Sequence, residues 1–146
     1  MIYKHSQNGK VLTLSMALLA VIFFILVALD PSQMWPAGII VVVAVLIVWL
    51  FSSLNVAVDE HRFYFWFGPG VMQKNYSLKD VASCQPVSNP WWYGWGIHLT
   101  QDGWVYNVSG FKAVQIILTN GKKFRVGTDE PEKLSQVILN AKKTAK

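Results

Sequence analysis

The side chains that suit catalysis or metal binding are few and dispersed. The candidates are Cys84, His61, His98, Asp59, Asp80 and Asp102. Nucleophilic catalysis needs a nucleophile held beside a base, and zinc sites use closely spaced Cys and His ligands. None of the six stands in a nucleophile-elbow, P-loop or HExxH motif, and Cys84 in an alternating segment is typical of a small buried hydrophobe. The sequence therefore predicts a protein that is not an enzyme, with no metal site and no cofactor.

Aromatic residues are concentrated in the segment Pro90–Ser109. They are Trp91, Trp92, Tyr93, Trp95, Trp104 and Tyr106. Trp and Tyr dominate interface hot spots and the interfacial belts of membrane proteins, so Trp91, Trp92 and Tyr93 are the candidate partner interface. The rings could instead fold over the domain and complete a small core, which is the interpretation we favour for Trp95 and Trp104.

Basic residues near the last predicted hairpin form a second candidate site. Lys112, Lys122, Lys123 and Arg125 are the candidate contacts for anionic lipid headgroups, in a chain whose formal net charge is +5. Ordinary solvated charge is the alternative explanation, because surface Lys is expected on any domain. No basic run interleaves with aromatic residues on one element, so the pattern argues against a nucleic-acid partner.

Two apolar runs position these candidates relative to a membrane. Val11–Leu29 and Ala37–Leu54 contain no Asp, Glu, Lys, Arg or His, and the polar break Asp30–Pro36 separates them. A run of about 18–20 apolar residues is long enough to cross the hydrocarbon core as a helix. Trp35 and Trp49 lie near the ends of the second run, where amphipathic rings favour the interface. The runs predict a transmembrane helical hairpin over residues 11–54.

Two alternatives to the hairpin fit the sequence less well. The first run could be a secretory signal peptide, but it exceeds the usual 7–15-residue apolar core and lacks a small-residue cleavage site. The two runs could form a buried hairpin of a soluble protein, but neither has the polar face of a surface helix. A bilayer is therefore the expected partner of both runs.

The charge distribution predicts the orientation of the hairpin. The break contains Asp30 and no Lys or Arg, whereas Lys4 and Lys10 precede the first run and the other basic residues follow the second. The positive-inside rule then places both termini in the cytoplasm, with residues 1–10 as a polar N-terminal tail. The single cysteine fits a reducing compartment.

Residues 55–146 are predicted to form one small domain, attached to the membrane without a linker. Apolar alternation in 56–58, 63–67, 114–118 and 124–126, with Asp59–His61 and Asn120-Gly121 as turns, predicts β-hairpins. Further strands are expected over 71–78, 81–87, 97–100 and 104–107, the last two flanking Asp102-Gly103. A C-terminal helix should begin after Asp129, as N-cap, with Pro131 in its first turn and Glu132 completing a capping box. The apolar positions of that helix are Leu134, Val137, Ile138 and Ala141.

Several segments resemble those of a known group of domains. They are Val58–Arg62, the turn Phe67–Gly70, Asn89–Gly96, Gly103–Gly110 and Gly127–Pro131. These segments are similar to the pleckstrin-homology-like (PH-like) domains of small bacterial membrane proteins, which commonly follow two transmembrane helices. The resemblance implies a seven-stranded antiparallel barrel or sandwich capped by a C-terminal helix. Phosphoinositide-binding PH domains use a basic pocket in the first loop, and here that turn, Asp59–Arg62, is half acidic.

The expected fold is thus membrane-anchored α+β, located in the bacterial inner membrane with several passes. The expected function is a non-catalytic interaction module, acting as a scaffold, assembly or regulatory subunit for another membrane protein. Binding of anionic lipid headgroups at the inner membrane surface is the alternative.

Overall fold

The computed structural model describes residues 1–145, so Lys146, the last residue of the predicted domain, lies outside the described residues. The described chain is α+β, with three α-helices and nine strands. The helices are α1 (Lys10–Leu29), α2 (Met34–Phe51) and α3 (Pro131–Thr144). The strands are β1 (Tyr3–Asn8), β2 (Ser53–Val58), β3 (Arg62–Phe67), β4 (Val71–Ser77), β5 (Val81–Ser88), β6 (Gly96–Thr100), β7 (Gly103–Asn107), β8 (Lys112–Leu118) and β9 (Lys123–Gly127).

The strands form two sheets. The first has the order β1-β2-β3-β4 and is antiparallel throughout, and the second has the order β5-β8-β9-β7-β6. Within the second sheet β7 and β9 run parallel. The prediction of seven antiparallel strands is therefore wrong in strand number and in this pair, and residues 1–145 form no closed barrel.

The N-terminal residues are part of the domain. Tyr3–Asn8 forms β1 and pairs with β2 from Tyr3↔Val58 to Asn8↔Ser53, so the prediction of a polar tail over residues 1–10 is wrong. The Tyr3 and Gln7 side chains are buried while most others of the strand are not, which is the alternation of a strand with one covered face. The helical pair α1–α2 is thus inserted between two neighbouring strands of one sheet.

Aromatic side chains from both sheets fill the core. Phe63, Phe65 and Phe67 are fully buried on one face of β3, as their alternation predicted. The centroid of the Phe65 ring lies 4.8 Å from the centroid of the Tyr106 ring, which belongs to the second sheet. These contacts join the two sheets, and the hairpins β2–β3, β6–β7 and β8–β9 are confirmed.

Helix α3 covers the core with its apolar side. Leu134, Ile138 and Ala141 are buried, as the helical spacing predicted. The capping box is wrong: the N-cap is Glu130, without a side-chain cap hydrogen bond. Asp129 instead accepts a hydrogen bond from the His5 ring of β1.

The apolar runs are helical up to Phe51, and the predicted end of the hairpin at Leu54 is wrong, because Leu54 lies in β2 and is buried in the core. Helix α2 is long and apolar enough to cross a membrane by length and composition, with a mean hydropathy of 2.6 and none of it buried. The apolar part of α1, Thr13–Leu29, is shorter. Among residues 1–145, α2 is therefore the one helix that satisfies the criterion for a span.

Candidate functional site

The Trp-rich segment forms an exposed loop between β5 and β6. Trp91–Tyr93 makes one 3-10 turn, and the Trp91 and Trp92 side chains are 75% and 67% exposed. Their rings meet edge to face, with centroids 6.0 Å apart. Gly94 closes the turn with φ +63, a conformation that favours glycine. We call the exposed pair Trp91 and Trp92 the Trp surface.

The buried side chain of Arg125 holds this loop in place through hydrogen bonds and an ion pair. The Arg125 guanidinium donates from Nη1 to Asn89 Oδ1 at 3.1 Å, and from Nε and Nη2 to Gln115 Oε1 at 3.3 and 3.2 Å. Its Nη2 also lies 2.9 Å from the Asp102 carboxylate. A buried charge is stable only when it is paired and hydrogen-bonded, and Arg125 satisfies both conditions. Arg125 of β9 thus joins the loop after β5, strand β8 and the β6–β7 turn.

Tyr93 connects the Trp surface to this network. The Tyr93 hydroxyl donates to Asp102 Oδ2 at 2.6 Å, and the Arg125 guanidinium carbon lies 5.6 Å from the Tyr93 ring centroid. The residue that follows the exposed pair is therefore held by a charge-assisted hydrogen bond and a cation–π contact. The Trp surface is presented on a fixed support.

The start of the Trp-rich loop, at Asn89, lies at the same end of the domain as the helix junctions. Gln7 Nε2 donates to the Ser109 carbonyl at 2.9 Å, and Asn89 N donates to the Phe111 carbonyl at 2.6 Å. Gln7 is two residues before Gly9, whose N–H donates to the Ser52 carbonyl at 2.7 Å between the starts of α1 and β2. The segment 109–111 therefore joins the loop to the base of the helical pair.

Other aromatic side chains of the segment differ from expectation. Trp95 and Trp104, which we expected in the core, are 40% and 47% exposed. Trp95 packs against the half-exposed Phe111 ring, with centroids 6.3 Å apart. Tyr106 is buried. The aromatic surface of the domain is thus broader than the sequence predicted.

The four predicted basic residues do not form one face. Arg125 is buried in the network described above, so it is not available to a headgroup. Lys112 is the first residue of β8, and Lys122 lies in the turn beyond its other end. The length of the strand separates them by about 20 Å. Lys122, at the end of the β8–β9 turn, and its neighbour Lys123, the first residue of β9, are exposed.

The surroundings of the candidate catalytic residues indicate structural roles. Cys84 is buried, and desolvation raises the pKa of its thiol to about 12. The Asp59 carboxylate accepts hydrogen bonds from the N–H groups of His61 and Arg62, and the His61 hydrogen bond is the main cause of its lowered pKa. Asp102 belongs to the arginine network. In the part of the chain that is described, no group of three or more His, Cys, Asp or Glu is arranged to hold a metal ion.

A second polar cluster, which the sequence did not predict, joins β1 to the start of α3. The Tyr3 hydroxyl donates to Glu130 Oε2 at 3.2 Å, and Lys133 Nζ lies 2.9 Å from the same oxygen. The hydrogen bond from Lys133 is the main cause of the lowered Glu130 pKa. Since Tyr3 is more than a hundred residues from Glu130 and Lys133 in sequence, no local pattern could have indicated its place in the cluster.

Comparisons with known proteins add no assignment. Neither protein-family models, nor curated proteins, nor solved structures give a match to this chain.

Proposed function

We propose that the protein is a non-catalytic interaction module of the bacterial inner membrane that presents the Trp surface to another membrane protein. The observation that supports this proposal is the exposure of two large aromatic side chains. Trp91 and Trp92 are 75% and 67% exposed, and they lie on a loop that the Arg125 network holds in place. Large exposed aromatic rings on a soluble surface mark interaction sites. Trp is also the side chain most enriched among interface hot spots.

The anchor in this proposal is the α1–α2 hairpin, with both helices in the bilayer and both termini in the cytoplasm. Support comes from the exposed apolar surfaces of both helices and from the positive-inside bias of the flanking segments. One residue, Gly9, separates β1 from α1, and one residue, Ser52, separates α2 from β2. Such short connections leave the domain little freedom to turn away from the membrane surface.

The position of the Trp surface favours a partner that is itself in the membrane. The loop is joined through Ser109 and Gln7 to the end of the domain from which the helices leave. A protein that projects a short distance from the bilayer can therefore reach Trp91 and Trp92. Because the loop is already ordered by hydrogen bonds, binding loses less conformational entropy than it would with a mobile loop.

The PH-like fold is part of the same proposal. Two sheets with a C-terminal helix packed over the core agree with the layout that the sequence resembles. The additional strand β1 and the parallel pair β7–β9 extend beyond the seven-stranded pattern. We treat the domain as a PH-like variant in which β1 completes the first sheet.

Binding of anionic lipid headgroups remains the second candidate function. The observation that favours it is the exposed Lys112, which follows Phe111 at the end of the domain nearest the helices. A single Lys near an anionic leaflet contributes about 1 kcal/mol, so this contact would assist orientation more than provide affinity.

The test is purification of the tagged full chain from its native membranes in mild detergent. We expect one membrane protein to co-purify in stoichiometric amount with the wild type and with Leu139→Ala, a control at an exposed apolar position of α3. The Trp91→Ala/Trp92→Ala variant should lose that protein while remaining folded. Equal recovery with both variants would refute the proposed surface. Salt-sensitive binding to anionic vesicles that Lys112→Gln weakens, without a co-purifying protein, would favour the lipid alternative.

A further inference from the structure

A groove opens on the side of the domain where β4 of the first sheet faces β7 and β9 of the second. Its volume is about 470 Å³, within the range of small-molecule sites. It is distinct from the Trp surface, since Trp91 and Trp92 do not line it. The groove plays no part in the proposed function.

Aromatic side chains form a large part of the groove lining. The Tyr76 and Phe124 rings are stacked with centroids 4.6 Å apart, and Tyr106 meets Phe124 edge to face at 6.4 Å. Trp104, 47% exposed, also lines the groove. Flat apolar groups stack favourably on such rings, so the lining suits a ligand with an aromatic or flat apolar body.

Two hydroxyl groups in this lining have no hydrogen-bond partner among residues 1–145. Tyr106 is 6% exposed, and across residues 1–145 neither its hydroxyl nor that of Tyr76 makes a hydrogen bond. Neither hydroxyl oxygen is among the fully buried polar atoms, so a group in the groove can reach both. Burial raises the pKa of both phenols, so they remain protonated donors at neutral pH. An oxygen-rich group in the groove would satisfy them.

The charged residues that line the groove are all basic. Lys74 on β4, Lys122 in the β8–β9 turn and Lys123 at the start of β9 are exposed, and within the described residues none of the three forms an ion pair. The lining contains no Asp or Glu. The charge of the groove therefore complements an anion.

The position of the lysine pair favours a soluble ligand over a lipid. Lys122 and Lys123 follow the end of β8 at Leu118, whereas the segment bonded to the base of the helices precedes its start at Lys112. The strand separates the two ends by about 20 Å. The lysine pair thus lies on the side of the sheet away from the helix junctions.

We propose that this groove binds a soluble organic anion with an aromatic or flat apolar body, of the carboxylate or phosphate-ester class. The body packs against Tyr76 and the half-exposed Trp104. The anionic group accepts hydrogen bonds from the tyrosine hydroxyls and pairs with Lys122 and Lys123.

The test uses 2-naphthyl phosphate as the probe and the full chain in nanodiscs of neutral lipid. Ligand-observed saturation-transfer NMR and isothermal titration should show saturable binding of the probe. Inorganic phosphate and 2-naphthol should each bind at least tenfold more weakly, because the first lacks the aromatic body and the second lacks the anionic group. Lys122→Gln/Lys123→Gln should weaken binding of the probe at least tenfold.

Matched variants separate recognition from general effects. Tyr106→Phe keeps the ring and removes the unpartnered hydroxyl, so we expect a loss of about fivefold in affinity with an unchanged fold. Lys79→Gln/Lys112→Gln removes the same charge from exposed positions outside the groove and should leave affinity unchanged. No saturable binding of 2-naphthyl phosphate would overturn the proposal. An equal loss in the two double-lysine variants would also overturn it, because the attraction would then be nonspecific.

Discussion

The Arg125 guanidinium lies 2.9 Å from the Asp102 carboxylate, and the same carboxylate accepts the Tyr93 hydroxyl at 2.6 Å. This pair connects the centre of the second sheet to the loop that bears Trp91 and Trp92. The only arginine of the predicted basic patch thus acts as an internal support.

Removing the guanidinium should destabilise the domain. Arg125→Met keeps much of the side-chain volume but leaves Asn89, Gln115 and the Asp102 carboxylate without their shared donor. We expect a loss of about 3 kcal/mol in the free energy of unfolding, measured by urea titration of the full chain in detergent. Arg62→Met, at an exposed position of β3, should change it by less than about 0.5 kcal/mol. Equal stability of the two variants would show that the network is not a structural support.

Gly103 is expected to be sensitive to the smallest substitution. It has φ +93, and an added Cβ would meet the Lys123 carbonyl oxygen of β9. Gly103→Ala should therefore disrupt the parallel β7–β9 pairing and lower the thermal midpoint strongly. Gly121→Ala is the matched control, because Gly121 also has positive φ, +82, but has open space around it. We expect that control to lose only about 1–2 kcal/mol. Similar midpoints for the two variants would argue against close contact between β7 and β9.

The Cys84 thiol should be unreactive in the folded protein. Burial raises its pKa from 9.0 to about 12, so almost no thiolate exists at pH 8. We expect Cys84 to react with Ellman's reagent at least 100-fold more slowly than the exposed cysteine of a Ser83→Cys/Cys84→Ser variant. Rapid native-state labelling of Cys84 would be inconsistent with its place in the core.

The same pKa shift predicts a dependence of stability on alkaline pH. Below pH 9 the thiol is protonated in both states, and its contribution is fully present. As pH rises from 9 to 12 the unfolded thiol ionises first, so stability relative to Cys84→Ala should fall across that window. A constant difference between wild type and variant would contradict the shift.

Replacing the helical pair should yield a folded soluble domain. Gly9 N and the Ser52 carbonyl are 2.7 Å apart, so a short Gly/Asn turn can replace residues 10–51 and keep β1 paired with β2. We expect this variant to remain in the aqueous fraction with a cooperative thermal transition. The full chain should stay in carbonate-washed membranes.

Truncation before Asn55 provides the contrast. It removes β1 and the first two residues of β2, Ser53 and the buried Leu54, and it exposes the remaining edge of β2. That product should aggregate or melt at least 15 °C below the turn-replacement variant. Equal stability of both products would show that β1 is dispensable.

Local patterns in the sequence predicted much of the fold. Phe63, Phe65 and Phe67 alternate and are followed by turn residues, so the neighbouring hairpin could be recognised from period and turn chemistry alone. The helical spacing of Leu134, Ile138 and Ala141 likewise predicted the buried side of α3. These elements depend on neighbours close in sequence.

The features that escaped prediction depend on distant partners. β1 is polar and directs only Tyr3 and Gln7 inward, and its partner β2 lies beyond the two helices. Arg125 carries a charge usually found at the surface, and its partners Asn89 and Asp102 come from other segments of the chain. Tertiary pairing, which no local window contains, determines both.

The most direct measurement is site-specific photo-crosslinking in living cells, with benzoylphenylalanine in place of Trp92 in the full chain and, as control, in place of the exposed Leu139. The proposed function predicts one discrete cross-linked membrane protein from position 92 and none from position 139. Only lipid adducts, or no product, from a folded and membrane-located Trp92 variant would contradict it.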